Sequence, residues 1–117
     1  MHIKKRLLIV EDQPEAAGVL AMMAQQFDCQ TLVADCGMSA LDIASWWNPD
    51  VVTIDLGLPD IDGLKVAAAL RPKLPAAKLV AVSGKQPDQS MLAAAGFDCY
   101  LQKPICLDRL KEALADC

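Results

Sequence analysis

Short apolar runs alternate with longer stretches of helical periodicity, and the alternation repeats five times along the chain. Leu7–Val10 is apolar and stops at Glu11 and Asp12. From Pro14, whose fixed φ suits a first helical turn, Ala16, Leu20, Met23 and Phe27 recur at helical spacing. Thr31–Ala34 reads as a second strand. Ser39 is placed to cap a helix carrying Leu41, Ala44 and Trp47, which Asn48 and Pro49 end. Val51–Ile54, β-branched throughout, is a third strand. Gly63 opens an alanine-rich helix that Pro72 and Pro75 terminate, and Leu79–Val82 is a fourth strand. Asp88–Ala95 is a short helix closed by Gly96, Cys99–Leu101 a fifth strand, and Leu107, Leu110 and Leu114 stripe a last helix.

The strands are continuous apolar runs, as expected when helices cover both faces of a sheet. Strict alternation of strand and helix implies parallel pairing with right-handed crossovers. Five such units in 117 residues fit one domain: a flavodoxin-like (βα)5 doubly wound sheet of five parallel strands, order 2-1-3-4-5.

Composition narrows the function. A content of 54% apolar and 22% charged residues describes a globular chain, and a net charge of −4 disfavours nucleic acid and anionic membranes. Lys4-Lys5-Arg6 reads as a solvated edge before the first strand. No run approaches the roughly 20 apolar residues of a membrane span, and Leu7–Val10 is too short for a signal peptide. The five cysteines are odd in number and form no C-x-x-C pair, which suits a reducing cytoplasm. They read as small buried hydrophobes, except Cys117, expected to be exposed and oxidisable. Met22 and Met23 read as core filler, and of Trp46 and Trp47 one is expected to be packed and one partly exposed. His2, in a terminal segment, is a poor phosphotransfer candidate.

In open α/β sheets the ligand sits beyond the carboxyl ends of the strands, where the strand order reverses. Strands 1 and 3 flank that point, ending at Glu11-Asp12 and at Asp55. Two unit charges about 4 Å apart repel by roughly 4 kcal/mol at an effective dielectric near 20. Several such pairs rival the roughly 5–15 kcal/mol that holds a domain together. A bound dication is therefore expected, and oxygen-only ligands favour Mg²⁺ or Mn²⁺ over zinc. Ser83 after strand 4 adds a hydroxyl and Lys103 after strand 5 an ammonium. Acids, metal, hydroxyl and lysine at one edge make a site for a phosphoryl group.

With these residues in place, the chain resembles the receiver domains of two-component response regulators from Leu7 to Leu114. The matching pieces are Leu8-Ile9-Val10-Glu11-Asp12, Asp55-Leu56-Gly57-Leu58-Pro59-Asp60-Ile61-Asp62-Gly63, Val82-Ser83-Gly84, Ala95-Gly96-Phe97 and Tyr100-Leu101-Gln102-Lys103-Pro104. The resemblance implies that Asp55 is the phosphoacceptor, taking a phosphoryl group from a histidine kinase or histidine phosphotransfer protein. It implies that Glu11, Asp12, Asp55 and the Gly57 backbone carbonyl hold Mg²⁺, and that Ser83 and Lys103 bind phosphoryl oxygens. It also implies a cis Lys103–Pro104 bond, and Tyr100 as an aromatic switch that follows Ser83. A downstream protein would dock on the face formed by helix 4, strand 5 and helix 5. The resemblance makes the chain a switch, with self-catalysed acceptance and slow loss of phosphate but no enzyme turnover, working as a monomer or weak homodimer.

Three departures accompany the match. Glu11 stands where aspartate is common and gives the acid a longer arm, the stretch from Ser83 to Lys103 is short, and Gly57 offers no side chain to orient or exclude water. Asp60 and Asp62 read as loop and helix-start residues. Fourteen residues follow Lys103, room for one helix and no output domain, and Met1 favours an intact chain. The setting is a stand-alone regulator, with the receiver of a hybrid histidine kinase as the alternative. A small Mg-dependent phosphatase using Asp55 as nucleophile is the rival from another class, and an interaction module that has lost the chemistry is a third.

Overall fold

The strands and helices follow from which side chains each face of the sheet can bury. The computed structural model describes residues 4–115; His2 and Cys117 lie outside them. The strands are β1 (Lys5–Val10), β2 (Cys29–Ala34), β3 (Val51–Asp55), β4 (Lys78–Ser83) and β5 (Cys99–Gln102). The helices are α1 (Pro14–Gln25), α2 (Gly37–Trp47), α3 (Gly63–Leu70), α4 (Gln89–Ala95) and α5 (Leu107–Ala115). All pairings are parallel, in the order β2-β1-β3-β4-β5.

Alternation along each strand divides the core in two. Leu8, Val10, Val52, Ile54, Leu79 and Ala81 pack under α2, α3 and α4 with Ala40, Ala44, Val66, Leu70 and Leu92. Leu7, Ile9, Val51, Val80, Val82 and Leu101 pack under α1 and α5 with Ala17, Leu20, Ala24, Leu110 and Leu114. The same period of two carries past the strand ends. Glu11 lies two residues beyond Ile9, Asp55 four beyond Val51 and Lys103 two beyond Leu101, so all three share the α1/α5 side of the sheet.

Helix ends decide several local outcomes. Asp62 caps α3 by accepting from Leu64 N (3.0 Å), Asp88 caps α4 through Ser90 N (2.9 Å), and Gly96 ends α4 at φ +99°, where glycine carries no steric penalty. The expected Ser39 cap is not the observed one: α2 begins at Gly37 with Cys36 at the N-cap position and no local side-chain cap. The last turn of α5 has no basic residue of its own. Lys5 and Lys78 from the strand starts supply it instead, donating to the carbonyls of Leu114 and Ala113.

Two packing expectations change. Met22 is 68% exposed and only Met23 joins the core, while Trp46 is exposed and Trp47 packed as anticipated. Of the described cysteines only Cys29 is buried; Cys36 and Cys99 are half-buried and Cys106 is exposed. No helix among the described residues is long and apolar enough to cross a membrane.

Thr53, beneath Asp55 on the same side of β3, is 2% exposed and its hydroxyl has no hydrogen-bond partner. A buried, unpaired hydroxyl costs roughly 1–3 kcal/mol. Thr53→Val keeps the shape and removes the unpaired group, so it is expected to stabilise the fold by about 1 kcal/mol. A rise in the urea midpoint at unchanged slope checks this; a fall would show that the hydroxyl is satisfied in solution.

Candidate functional site

Glu11 leaves β1 with its N–H bonded to Ala34 O (2.9 Å), which fixes its carboxylate over the sheet edge. It is 5% exposed, and among the described residues no other charged side chain is so buried. Its Oε1 accepts from Lys103 Nζ (2.8 Å) and its Oε2 from Gln13 N (3.3 Å). Asp55 Oδ2 also accepts from Lys103 Nζ (3.2 Å), and Asp55 Oδ1 from Gly57 N (2.9 Å). One ammonium therefore bridges two carboxylates. Asp12 joins them: one oxygen each of Glu11, Asp12 and Asp55 lie within 4.8 Å of one another.

The charges respond as this geometry requires. Burial, reinforced by a hydrogen bond shared with Asp55, holds the Glu11 carboxyl above its ordinary range despite Lys103. Burial also opposes ionisation of Asp55, but the contact with Glu11, the Gly57 N–H and Lys103 outweigh it and hold Asp55 below its ordinary range. Lys103 is raised, because both acids outweigh its own desolvation. The site thus keeps an ionised aspartate beside an ammonium, and burial makes Glu11 take up a proton more readily than an exposed glutamate would. Three oxygen ligands with a half-buried lysine fit a hard dication rather than zinc.

Lys103 directly follows β5, its N donating to Ser83 O (2.9 Å), and its bond to Pro104 is cis. Ser83 ends β4 and Tyr100 lies on the adjacent β5, and both reach the loop that follows β4. Ser83 Oγ accepts from Lys85 N (3.1 Å), and Tyr100 Oη donates to Lys85 O (3.3 Å). The two hydroxyl residues therefore both bond the backbone of one residue, Lys85, through its N–H and its carbonyl, and the motifs did not single that residue out. A cleft of about 570 Å³ opens beside the acids, walled by Val19, Leu20 and Met23 of α1 and by Pro104 and Ile105.

Comparison with known proteins identifies the family. The family described as "Response regulator receiver domain" matches residues 7–115. A transcriptional regulatory protein KdpE of Mycobacterium tuberculosis is 34% identical over 104 residues, 87% of this chain and 46% of the relative. CreB of Escherichia coli K12 is 36% identical over 104 residues, 86% of this chain and 45% of its own. The chain spans about half the length of these curated relatives. A CheY-like receiver structure from Methylobacillus flagellatus shares 33% identity at TM-score 0.81, covering 96% of this chain and 97% of that one. A Burkholderia pseudomallei response regulator, 26% identical at TM-score 0.88 over 95% of this chain and 66% of that one, was crystallised with a phosphorylated aspartic acid, calcium and citrate. The chain belongs to the response regulator receiver domain family. Its class is a receiver domain of two-component response regulators.

Proposed function

We propose that Asp55 accepts a phosphoryl group from a phosphohistidine of a histidine kinase or histidine phosphotransfer protein. The observation that carries this reading is the Lys103 ammonium between Glu11 and Asp55, with Asp12 completing a cluster of acids at the cleft. An Asp55 carboxylate oxygen attacks phosphorus, the phosphorus–nitrogen bond breaks, and the imidazole leaves with the electron pair and takes up a proton. Asp55 suits the role because it stays ionised. Asp12, Asp55 and Glu11 would hold Mg²⁺, or Mn²⁺ in its place, together with the Gly57 carbonyl. The ion, when bound, supplies charge neutralisation at the phosphoryl oxygens.

Lys103 exchanges its carboxylate partners for a phosphoryl oxygen. Ser83 turns toward another, which releases Lys85 N and loosens the residue whose carbonyl holds Tyr100. The outcome is a population shift on the face of α4, β5 and α5, where a downstream protein docks in the cytoplasm.

Mass spectrometry after treatment with acetyl phosphate and Mg²⁺ tests the assignment. Wild type is expected to gain one phosphoryl group and Asp55→Ala none. Repeated turnover of varied phosphoesters would instead support a phosphatase, although Gly57 leaves no acid for proton transfer two residues after the nucleophile. An unmodified wild type would remove the reading.

A further inference from the structure

The first turn of α2 is capped from a distant loop. Gly37 N donates to Asp60 Oδ1 (2.8 Å) and Met38 N to Asp60 Oδ2 (3.0 Å), so one carboxylate satisfies two free N–H groups of a helix that has no local cap. The contact is seated by packing: a Cβ on Gly37 would stand 3.0 Å from Ile61 Cβ and 3.0 Å from Val66 Cγ2.

Asp60 lies in the loop between β3 and α3, which begins directly after Asp55. That loop is anchored at its far end as well. Asp62 caps α3, and Gly63 lies so close that a Cβ there would meet the Asp55 carbonyl oxygen at 2.8 Å. Between the anchors the chain spans Leu56 to Pro59, and Gly57 N reaches back to Asp55 Oδ1 (2.9 Å).

We propose that Asp60 is a positioning residue of the acid cluster: by fastening the Leu56–Pro59 span to the start of α2, it sets where the Gly57 backbone stands relative to Asp55. This rests on the metal-binding reading above. Asp60 touches none of the acids and acts only through the loop. The Gly37 and Met38 N–H groups hold its carboxyl below the ordinary range, so the clasp stays ionised at neutral pH.

Charge and geometry are separable by substitution. Asp60→Asn removes the charge and keeps an acceptor oxygen; Asp60→Ala removes both. Mn²⁺ affinity is read by electron paramagnetic resonance of the free ion, without any phosphodonor, and Gly57 amide exchange is followed by NMR in the metal-free protein. Asp60→Ala is expected to bind Mn²⁺ about tenfold more weakly, the size of effect seen for supporting partners of metal ligands, and to expose the Gly57 amide. Asp60→Asn, which keeps one of the two acceptor oxygens, is expected to lose less affinity than Asp60→Ala and to leave that amide better protected. If Asp60→Ala folds poorly, Asp60→Ser, too short to reach either N–H, takes its place. Equal losses in Asn and Ala with the Gly57 amide protected in both would mean a charge effect alone, and unchanged affinity in Ala a purely structural cap; either overturns the proposal. A wild type that binds no Mn²⁺ fails the metal-binding reading itself, and the proposal with it.

Discussion

Lys103→Ala is expected to slow phosphoryl acceptance by about 10²–10³ fold while tightening divalent-metal binding. Both signs come from the same ammonium. In the metal-free protein it neutralises Glu11 (2.8 Å) and Asp55 (3.2 Å), so it competes with any cation drawn to those oxygens. Removing it leaves the acids for the metal alone. In the transfer step the ammonium faces the charge that develops on the phosphoryl oxygens, and deleting one such donor typically costs about 10²–10³ in rate. Stability follows a third course. Without Lys103, two ionised carboxylates face each other, and the metal-free fold is expected to lose about 1–3 kcal/mol at neutral pH.

The sign with pH follows from Glu11, whose folded pKa is raised by burial and loses its lowering partner in the variant. An acid with a raised folded pKa destabilises increasingly as pH rises through that value. The deficit therefore shrinks as pH falls and Glu11 takes up a proton. Donor-labelling rates, Mn²⁺ titration and urea melts at neutral and mildly acidic pH, with and without Mg²⁺, read the effects separately. An unchanged labelling rate would remove Lys103 from the chemistry.

Much of this arrangement was legible in the sequence because it depends on local periodicity. The parity of Leu7 and Ile9 against Leu8 and Val10 assigns each to a sheet face, and continuing that parity predicts which side Glu11 occupies. Strand lengths were less legible. Lys5, Arg6, Gln30 and Lys78 extend their strands because the backbone ladder continues past the apolar run, as in the pairs Lys5↔Cys29 and Val51↔Lys78. Polar side chains hide such residues from an apolarity criterion. The α2 cap was illegible for a different reason. Ser39 is a good local candidate, but its hydroxyl donates to Asp35 Oδ1 while the helix N–H groups turn to Asp60, 23 residues from Gly37. Met22 misled because α1 carries apolar residues on both faces, so composition alone cannot say which methionine is inside.

Arg71→Ala should cause the largest loss of stability from a single side chain outside the apolar core, because one guanidinium holds two corners of the fold. Arg71 is the C-cap residue of α3. Its Nη2 donates to the carbonyls of Leu74 (2.7 Å), Pro75 (3.3 Å) and Ala77, closing the turn into β4. Its Nη1 donates to Gly96 O (3.0 Å) and to Asp98 Oδ2 (3.1 Å), at the corner between α4 and β5. Asp98 Oδ2 in turn accepts from Leu79 N (2.8 Å), so the ion pair also anchors the edge of β4. Truncation strands several part-buried carbonyls at once. Hydrogen bonds to a charged donor are worth roughly 1.5–3 kcal/mol each, but the pair is partly solvated, so the expected total is about 3 kcal/mol. For a domain of this size that lowers the melting temperature by roughly 10 °C or more. Arg71→Lys is expected to recover less than half, since a point charge cannot serve a fork of carbonyls on two loops. These contacts lie before the starts of β4 and β5, whereas Asp55 and Lys103 lie at the strands' other ends. Well below its melting temperature, Arg71→Ala should therefore still label on Asp55 at close to the wild-type rate. A loss under about 1 kcal/mol by urea denaturation would show that water replaces the guanidinium at these carbonyls. A collapse of labelling in the folded variant would instead mean that the corner at Gly96 and Asp98 is coupled to the acid cluster through β4.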